Sequence, residues 1–221
     1  MPAPVLAVDR AHPQPGVIAE ALAVLRRGGL IIFPTDTVYG LGCDASNEQA
    51  LTRLYRAKGR PAHMPLIVLL ADVEELGRYA QGVPPCARRA AEQFWPGPLT
   101  IILPVRPGFS PILTAGGSTL GLRIPEDATA RALAAAVSLA STSANRSGQP
   151  APGTAEEARM ELGEAVDLVL DGGPLAGDPS TVLDCSTSPP LIRRAGPVSR
   201  ERIEAVIGRV EVAAGAEAKT G

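Results

Sequence analysis

The feature that most constrains this chain is a series of short, continuous apolar runs set between stretches of helical periodicity. Leu30 to Phe33, Leu66 to Leu70, Leu99 to Val105 and Leu139 to Thr142 are each of strand length. None approaches the ~20 apolar residues that span a bilayer, so no membrane segment is expected. Thr119 to Ile124, Asp167 to Leu170, Thr181 to Asp184 and Leu191 to Arg193 read as further strands. Between the runs, helix start and stop signals recur. Pro15 and Gly16 open a periodic stretch, Val17 to Arg27, that Gly28 and Gly29 end. Ser46 with Gln49, Asp72 with Glu75, and Thr154 with Glu157 have capping-box spacing. Pro84 and Pro85 start a helix that stops near Trp95-Pro96-Gly97-Pro98; Asp127 to Val137 is Ala-rich and helical; Ser199 to Ile207 makes the last helix. Thr35 to Asp44 shows neither period and reads as a loop.

Strands and helices interleave early and strands cluster late, with no repeat and no linker. That order predicts a single α/β domain around a mixed sheet, the late strands suited to antiparallel pairing. The domain is expected to span residues 1–208. Residues 209–221 alternate small and charged residues and read as a frayed, flexible C-terminal tail.

Composition narrows the function. A net charge of −2 over 221 residues lacks the cationic excess of a protein that coats nucleic acid. The 3 cysteines are dispersed without a CxxC pair, and there are only 2 histidines. A structural zinc site or disulfide framework is therefore not expected, and reduced thiols in the cytoplasm are. The segment from Met1 to His12 carries Asp9 and Arg10 and no long apolar core, which is unlike a signal peptide.

Polar side chains gather on loops that follow buried runs, the place where α/β proteins commonly build sites. Pro34-Thr35-Asp36-Thr37-Val38-Tyr39-Gly40-Leu41-Gly42 presents hydroxyls beside glycines that let a ligand approach the backbone; a decorated turn is the plain alternative. Lys58-Gly59-Arg60-Pro61 closes a helix, where the dipole favours cations anyway, but Arg and Lys there also suit a phosphate clamp. Ser141 to Gly148 is too rich in hydroxyl and amide groups for an ordinary turn. Ser180 to Asp184, with Arg193 and Arg194 close behind, places basic residues at a strand end. Arg123, within apolar Leu120 to Pro125, requires a partner, and a ligand carboxylate would serve. No GxxxxGK[ST] loop, GxGxxG turn or GxSxG elbow occurs, and the histidines make a Ser/His/Asp hydrolase unsuitable. Arg, Lys, Ser, Thr and Asn without an evident general base suit phosphoryl or nucleotidyl transfer, where positioning and charge neutralisation supply most of the rate.

Taken in order, these segments resemble the YrdC-like family of threonylcarbamoyl-adenylate synthases, in its short single-domain form. The matching pieces are Pro34 to Gly42, Lys58 to Pro61, Pro65 to Val68, Phe94 to Thr100, Leu122 to Pro125, Ser143 to Gly148, Asp171 to Gly173, Ser180 to Val182 and Arg194 to Gly196. The resemblance runs over about residues 16 to 208. It implies a twisted open mixed sheet flanked by helices, with a concave, positively charged cavity. It also implies a reaction in which L-threonine, bicarbonate and ATP give threonylcarbamoyl-AMP and pyrophosphate, the first step of a tRNA modification completed by a threonylcarbamoyl transferase complex. By motif position, Thr37, Arg123, Ser143 and Ser180 would hold threonine. Arg60, Thr119, Asn145 and Arg194 would meet ATP, with Lys58 beside the triphosphate and Lys58 and Arg60 carrying the catalytic charge. Mg²⁺ would arrive with the nucleotide rather than in a protein cage, and direct tRNA contact would be weak.

The chain departs from the family at Met64, where many members have Asn, and at Leu69, where they have His. Gly153 stands where the family loop has Thr, leaving Thr154 as a substitute. A non-catalytic RNA-binding or ribosome-associated protein of the same fold is the alternative, and a paralogue using another carbamoyl or acyl substrate is a third reading. The hydroxyl set Thr37, Ser143 and Ser180 separates these, because backbone contacts to RNA need cations but not those hydroxyls. All readings of the site rest on one expectation, that Thr37, Lys58, Arg60, Arg123, Ser143, Asn145, Ser180 and Arg194 line a common hollow.

Overall fold

Local signals set most element boundaries in the computed structural model, which describes residues 3–216. The order is β1 (Val5–Ala7), α1 (Pro15–Arg26), β2 (Ile31–Phe33), β3 (Gly40–Asp44), α2 (Glu48–Lys58), β4 (Ile67–Leu69), a 3-10 turn (Val73–Glu75) leading into α3 (Leu76–Tyr79), α4 (Pro85–Phe94), β5 (Leu99–Pro104) and β6 (Thr119–Arg123). There follow α5 (Ala128–Ala134), β7 (Leu139–Ser143), α6 (Ala155–Leu162), β8 (Leu168–Asp171), β9 (Thr181–Asp184), β10 (Leu191–Arg194), α7 (Arg200–Ile207) and β11 (Glu211–Val212). The capping boxes at Asp72/Glu75 and Thr154/Glu157 form as the spacing predicts, and Gly59 ends α2 at φ 59°.

The start of α2 differs from expectation. Asn47, not Ser46, is the cap, its side-chain oxygen accepting from the Ala50 amide, because the Ser46 hydroxyl donates to Asp44 at 2.7 Å instead. The segment 35–44 is not all loop, for its second half is β3. Glycine conceals the strand in the sequence, and here a side chain has no room: a Cβ on Gly40 or Gly42 would lie 3.0 or 2.8 Å from the Phe33 ring. The tail is also corrected. Glu211 and Val212 return to the sheet as β11, which pairs in parallel with β10, Val210 is buried, and the Ala195 amide donates to the Ala216 carbonyl at 3.1 Å. Residues 217–221 lie outside the described residues.

The described strands form one eleven-stranded sheet in the order β1-β8-β2-β3-β7-β4-β6-β5-β9-β10-β11. Parallel and antiparallel pairs mix throughout. The late strands are not simply an antiparallel cluster: β8 inserts in parallel between β1 and β2, β9 runs parallel to β5, and β9 with β10 is antiparallel. β8 and β9 each return to a partner formed much earlier, which adjacency in sequence cannot reveal.

Side-chain alternation gives the sheet two unequal faces. One is buried along its length under α2, α4, α6 and α7, with Leu41, Val68, Ile101, Leu122 and Leu183 pointing into that core. The other is covered over only part of its width, where α1 and α5 pack on Ile31, Phe33, Leu69 and Leu139. Beyond the reach of those two helices the second face stays open, and the hollow described next lies there.

Candidate functional site

Residues directly opposite one another in a sheet point to the same face. Gly40 faces Ser143, Ser141 faces Ile67, Ile67 faces Gly121 and Leu69 faces Arg123. Gly121 in turn faces Ile102, Thr100 faces Val182, and Val182 faces Arg194. These side chains, from strands distant in sequence, line a hollow of about 410 Å³, within the ~300–1,000 Å³ usual for small-molecule sites. Thr37, Arg60, Arg123, Ser143, Ser180 and Arg194 all line it.

One end is organised by the loop after β2. The Thr35 hydroxyl donates to the Val38 carbonyl at 2.7 Å and accepts from the Thr37 and Val38 amides. Its single proton being spent, the 2.9 Å contact with the Thr37 hydroxyl runs from Thr37 to Thr35. Thr37 then accepts from Arg123 Nη1 at 3.0 Å. Arg123 is buried, with Nε donating to the Gly97 carbonyl at 3.0 Å. Its Nη2 lies 2.7 Å from Asp36 Oδ1, yet neither that nitrogen nor either Asp36 oxygen has hydrogen-bond alignment. The contact is therefore a charge pairing that leaves the Nη2 protons unspent. Burial draws the Arg123 guanidinium below its usual value, against the opposing pull of Asp36. A wholly free guanidinium fork, as the sequence suggests, is not what the fold provides. A ligand carboxylate would meet the N–H groups that Thr37 and Gly97 leave over.

Thr100 and Ser180 share a hydroxyl contact of 2.8 Å at this floor, and Arg194 donates Nε and Nη2 to the Ser180 carbonyl at 3.1 and 2.8 Å. A roof comes from the loop between β8 and β9: a Cβ on Gly177 would lie 2.6 Å from the Thr37 carbonyl oxygen. The Tyr39 hydroxyl ties the same loop down by donating to the Gly173 carbonyl at 2.7 Å.

The same lining is also cationic. Arg60 Nε and Nη2 donate to the Met64 and Pro65 carbonyls at 2.9 and 2.7 Å, which holds the 61–65 strap and aims the guanidinium at the hollow. Among the described residues, neither Arg60 nor Arg194 has a carboxylate partner. Burial lowers the pKa of both, and the charges of Arg123 and Arg60 lower Arg194 further. Crowded, unneutralised guanidinium groups define a site for an anion.

Three expected members are not in the lining. Lys58 is buried behind Ser143, its ammonium donating to the Ser143 carbonyl at 2.7 Å, the Asn145 carbonyl at 2.7 Å and Asn145 Oδ1 at 3.0 Å. Those acceptors absorb its protons, so it braces the wall rather than facing the hollow. Asn145 is buried beside it, with Nδ2 donating to the Arg146 and Gln149 carbonyls. Thr119 shares a strand face with Gly121 and Arg123 but sits at the far end of β6, opposite Pro104. Thr154 serves as the cap of α6. Met64 is 42% exposed at the rim, and Leu69, 2% exposed, forms apolar floor. Thr35, Tyr39, Thr100 and Thr142 line the hollow without having been assigned from the sequence. The available signal was Thr100, a lone hydroxyl in the apolar run Leu99 to Leu103.

An α/β sheet that leaves part of one face open and sets unpaired guanidinium groups beside buried hydroxyls defines a small-molecule, anion-binding class of protein. The chain belongs to the Sua5/YciO/YrdC family, whose model, described as "Telomere recombination", matches residues 23–196. It is 43% identical over 199 residues to the threonylcarbamoyl-AMP synthase of Bacillus subtilis, covering 88% of this chain and 58% of that protein. It is 40% identical over 172 residues to the threonylcarbamoyl-AMP synthase of Idiomarina loihiensis, covering 75% of this chain and 91% of that one. The crystal structure of Pyrococcus abyssi Sua5 complexed with L-threonine superposes with a TM-score of 0.91 at 35% identity, over 98% of this chain and 65% of that one. The chain thus spans well under two thirds of the Bacillus relative and slightly under two thirds of the Pyrococcus chain.

Proposed function

We propose that the protein joins L-threonine, bicarbonate and ATP into threonylcarbamoyl-AMP with release of pyrophosphate. The observation that carries this reading is a single hollow whose lining joins a group of Arg123, Thr37 and Ser180 to a second group, the unneutralised Arg60 and Arg194, the two meeting where Arg194 donates to the Ser180 carbonyl. An amino acid fits the first group: its carboxylate takes the spare Arg123 N–H groups, and its side-chain hydroxyl finds partners among Thr37, Thr100, Ser143 and Ser180. A substrate lacking that hydroxyl would leave buried groups unpaired, which favours threonine. A triphosphate fits the second.

Chemically, the threonine amine adds to the carbon of bicarbonate-derived CO₂ and gives up a proton to form a carbamate. A carbamate oxygen then attacks the α-phosphorus as the bond to the bridging oxygen of pyrophosphate breaks. Arg60 and Arg194 neutralise the charge that develops there, while Lys58 and Asn145 hold Ser143 and its loop in place from behind. Thr119 would meet the nucleotide only at the outer end of β6. No cluster of His, Cys, Asp or Glu suited to a metal occurs among the described residues. Mg²⁺ would come with the triphosphate, whose oxygens would hold it and share the charge that Arg60 and Arg194 face.

The product is a reactive mixed anhydride that requires an acceptor, and a tRNA-modifying threonylcarbamoyl transferase complex in the cytoplasm is the partner this chemistry calls for. With a net charge of −2, direct tRNA contact is weak. A purely RNA-binding role is less well supported, since the hydroxyls lie inside a hollow rather than along a surface. No described helix is long and apolar enough to cross a membrane.

Purified protein given ATP, Mg²⁺, bicarbonate and L-threonine is expected to release pyrophosphate only when all are present. Absence of pyrophosphate from the full mixture would overturn the reading.

A pH dependence follows from Lys58. Burial, with the Arg60 charge nearby, lowers its pKa from 10.5 to about 8. The charged form makes the full set of donations to Ser143 and Asn145, so turnover should fall as pH rises through about 8. Stability should not fall with it. Between about 8 and 10.5 the unfolded chain holds this proton and the folded chain does not, so this group's contribution to stability rises with pH. Rate and thermal midpoint measured from pH 7 to 9.5 should therefore separate. A parallel loss of both would contradict the assignment.

A further inference from the structure

Arg10 precedes the segment 23–196 that the family model matches, yet it is tied to the wall of the hollow. Its Nε donates to Asp127 Oδ2 at 2.7 Å, and its Nη2 donates to the Thr35 carbonyl at 3.0 Å. One planar group thus bridges the cap of α5 and the loop after β2. Asp127 is the buried N-cap of that helix, its side chain 1% exposed and accepting from the Ala130 amide. The Arg10 stem lies on the turn after β8, where a Cβ on Gly172 would come within 2.7 Å of Arg10 Cγ and 2.9 Å of Pro34 Cγ.

The Thr35 carbonyl belongs to the peptide that leads into Asp36, so a grip on it sets the direction of Asp36 and Thr37. Those are the two residues that meet Arg123 from the loop, at 2.7 and 3.0 Å. Arg10 and Arg123 hold the same turn from opposite sides, with Arg10 half exposed and outside the lining.

We propose that Arg10 is a positioning residue for the amino-acid end of the site: by fixing the Thr35 carbonyl it aims Thr37 and Asp36 at Arg123 and thereby sets affinity for the amino acid and not for the nucleotide. This rests on the threonine reading above. The bridge needs a fork. A lysine can keep the charge pair with Asp127 but, as a single point donor, cannot also hold the Thr35 carbonyl in the same geometry.

Calorimetric titration of L-threonine, and separately of ATP with Mg²⁺, into wild type, Arg10→Lys, and the double variant Arg10→Met/Asp127→Asn tests this. The double variant removes the buried carboxylate that Arg10→Met alone would strand. Both variants are expected to bind threonine about tenfold more weakly, the scale of a small misplacement of binding groups, with ATP affinity and thermal midpoint close to wild type. If the double variant recovers wild-type threonine affinity, Arg10 is only the counter-ion of Asp127 and the proposal is wrong. Equal weakening of both ligands, or no weakening by Arg10→Lys, overturns it as well. Failure of the wild type itself to bind threonine removes the reading beneath it, and that result is distinct from a wild type that binds and variants that bind equally.

Discussion

Arg123→Ala abolishes threonine-dependent pyrophosphate release and leaves ATP affinity nearly unchanged: that is the expected result with the largest effect. Arg123 is buried in the lining of the hollow beside Thr37, and its spare N–H groups are the cationic donors the fold offers a carboxylate there. Truncating one side of a buried, hydrogen-bonded charge pair costs about 2–5 kcal/mol, which at about 1.4 kcal/mol per decade is roughly 30- to 4,000-fold in kcat/KM for threonine. The same change leaves the Asp36 carboxylate buried without its cation, so the protein also loses stability, by about 3–5 kcal/mol where no water reaches it. The double variant Arg123→Ala/Asp36→Asn separates the two effects. It should regain most of the thermal midpoint while threonine dependence stays lost. A variant in which threonine and ATP affinities fall in step would show that Arg123 serves the fold alone.

Lys58→Met should be nearly as damaging, for a different reason. In wild type the ammonium supplies the Ser143 carbonyl, the Asn145 carbonyl and Asn145 Oδ1. Methionine has the length to fill the space but nothing to donate. Each buried acceptor left without a partner costs about 1–3 kcal/mol, so a total near 3 kcal/mol is a modest expectation, or about 6–12 °C in thermal midpoint for a domain of this size. The residues set free are those that carry Ser143 to the hollow, and turnover should therefore fall even at temperatures where the variant is folded. Scanning calorimetry and pyrophosphate release at 15 °C would measure the two consequences separately. Full activity in a destabilised but folded Lys58→Met would show that the wall needs no brace.

Much of the fold was legible because strand-length apolar runs and caps act locally. Proline at the start of α1 and α4, the capping boxes and the glycine after α2 all report on a few neighbouring residues. β3 was not legible, since Gly40 and Gly42 replace the apolar alternation with space reserved for the Phe33 ring. Nor was β11, whose identity as a strand depends on β10 beside it. The site followed the same division. The segments that hold Thr37, Arg60, Ser143, Ser180 and Arg194 stood out as chemically rich loops and Arg123 as an arginine in an apolar run, while the choice of single residues within those loops came from the family resemblance. Lys58 and Asn145 belonged to the same polar segments, but sequence cannot tell a cation that faces a hollow from one that supports it from behind. Arg10 gave no signal at all, because its importance comes from the Thr35 carbonyl, which every residue type possesses.

The threading of the late strands has a consequence for synthesis on the ribosome. A nascent chain released as far as β7 already holds Thr37, Arg60, Arg123 and Ser143, but β9 and β10, which deliver Ser180 and Arg194 beside β5, have yet to emerge. Until they slot in, the newborn polypeptide lacks Ser180 and Arg194, so the hydroxyl group and the cationic group of its pocket are each incomplete. Competence arrives abruptly, late in translation, rather than growing with length.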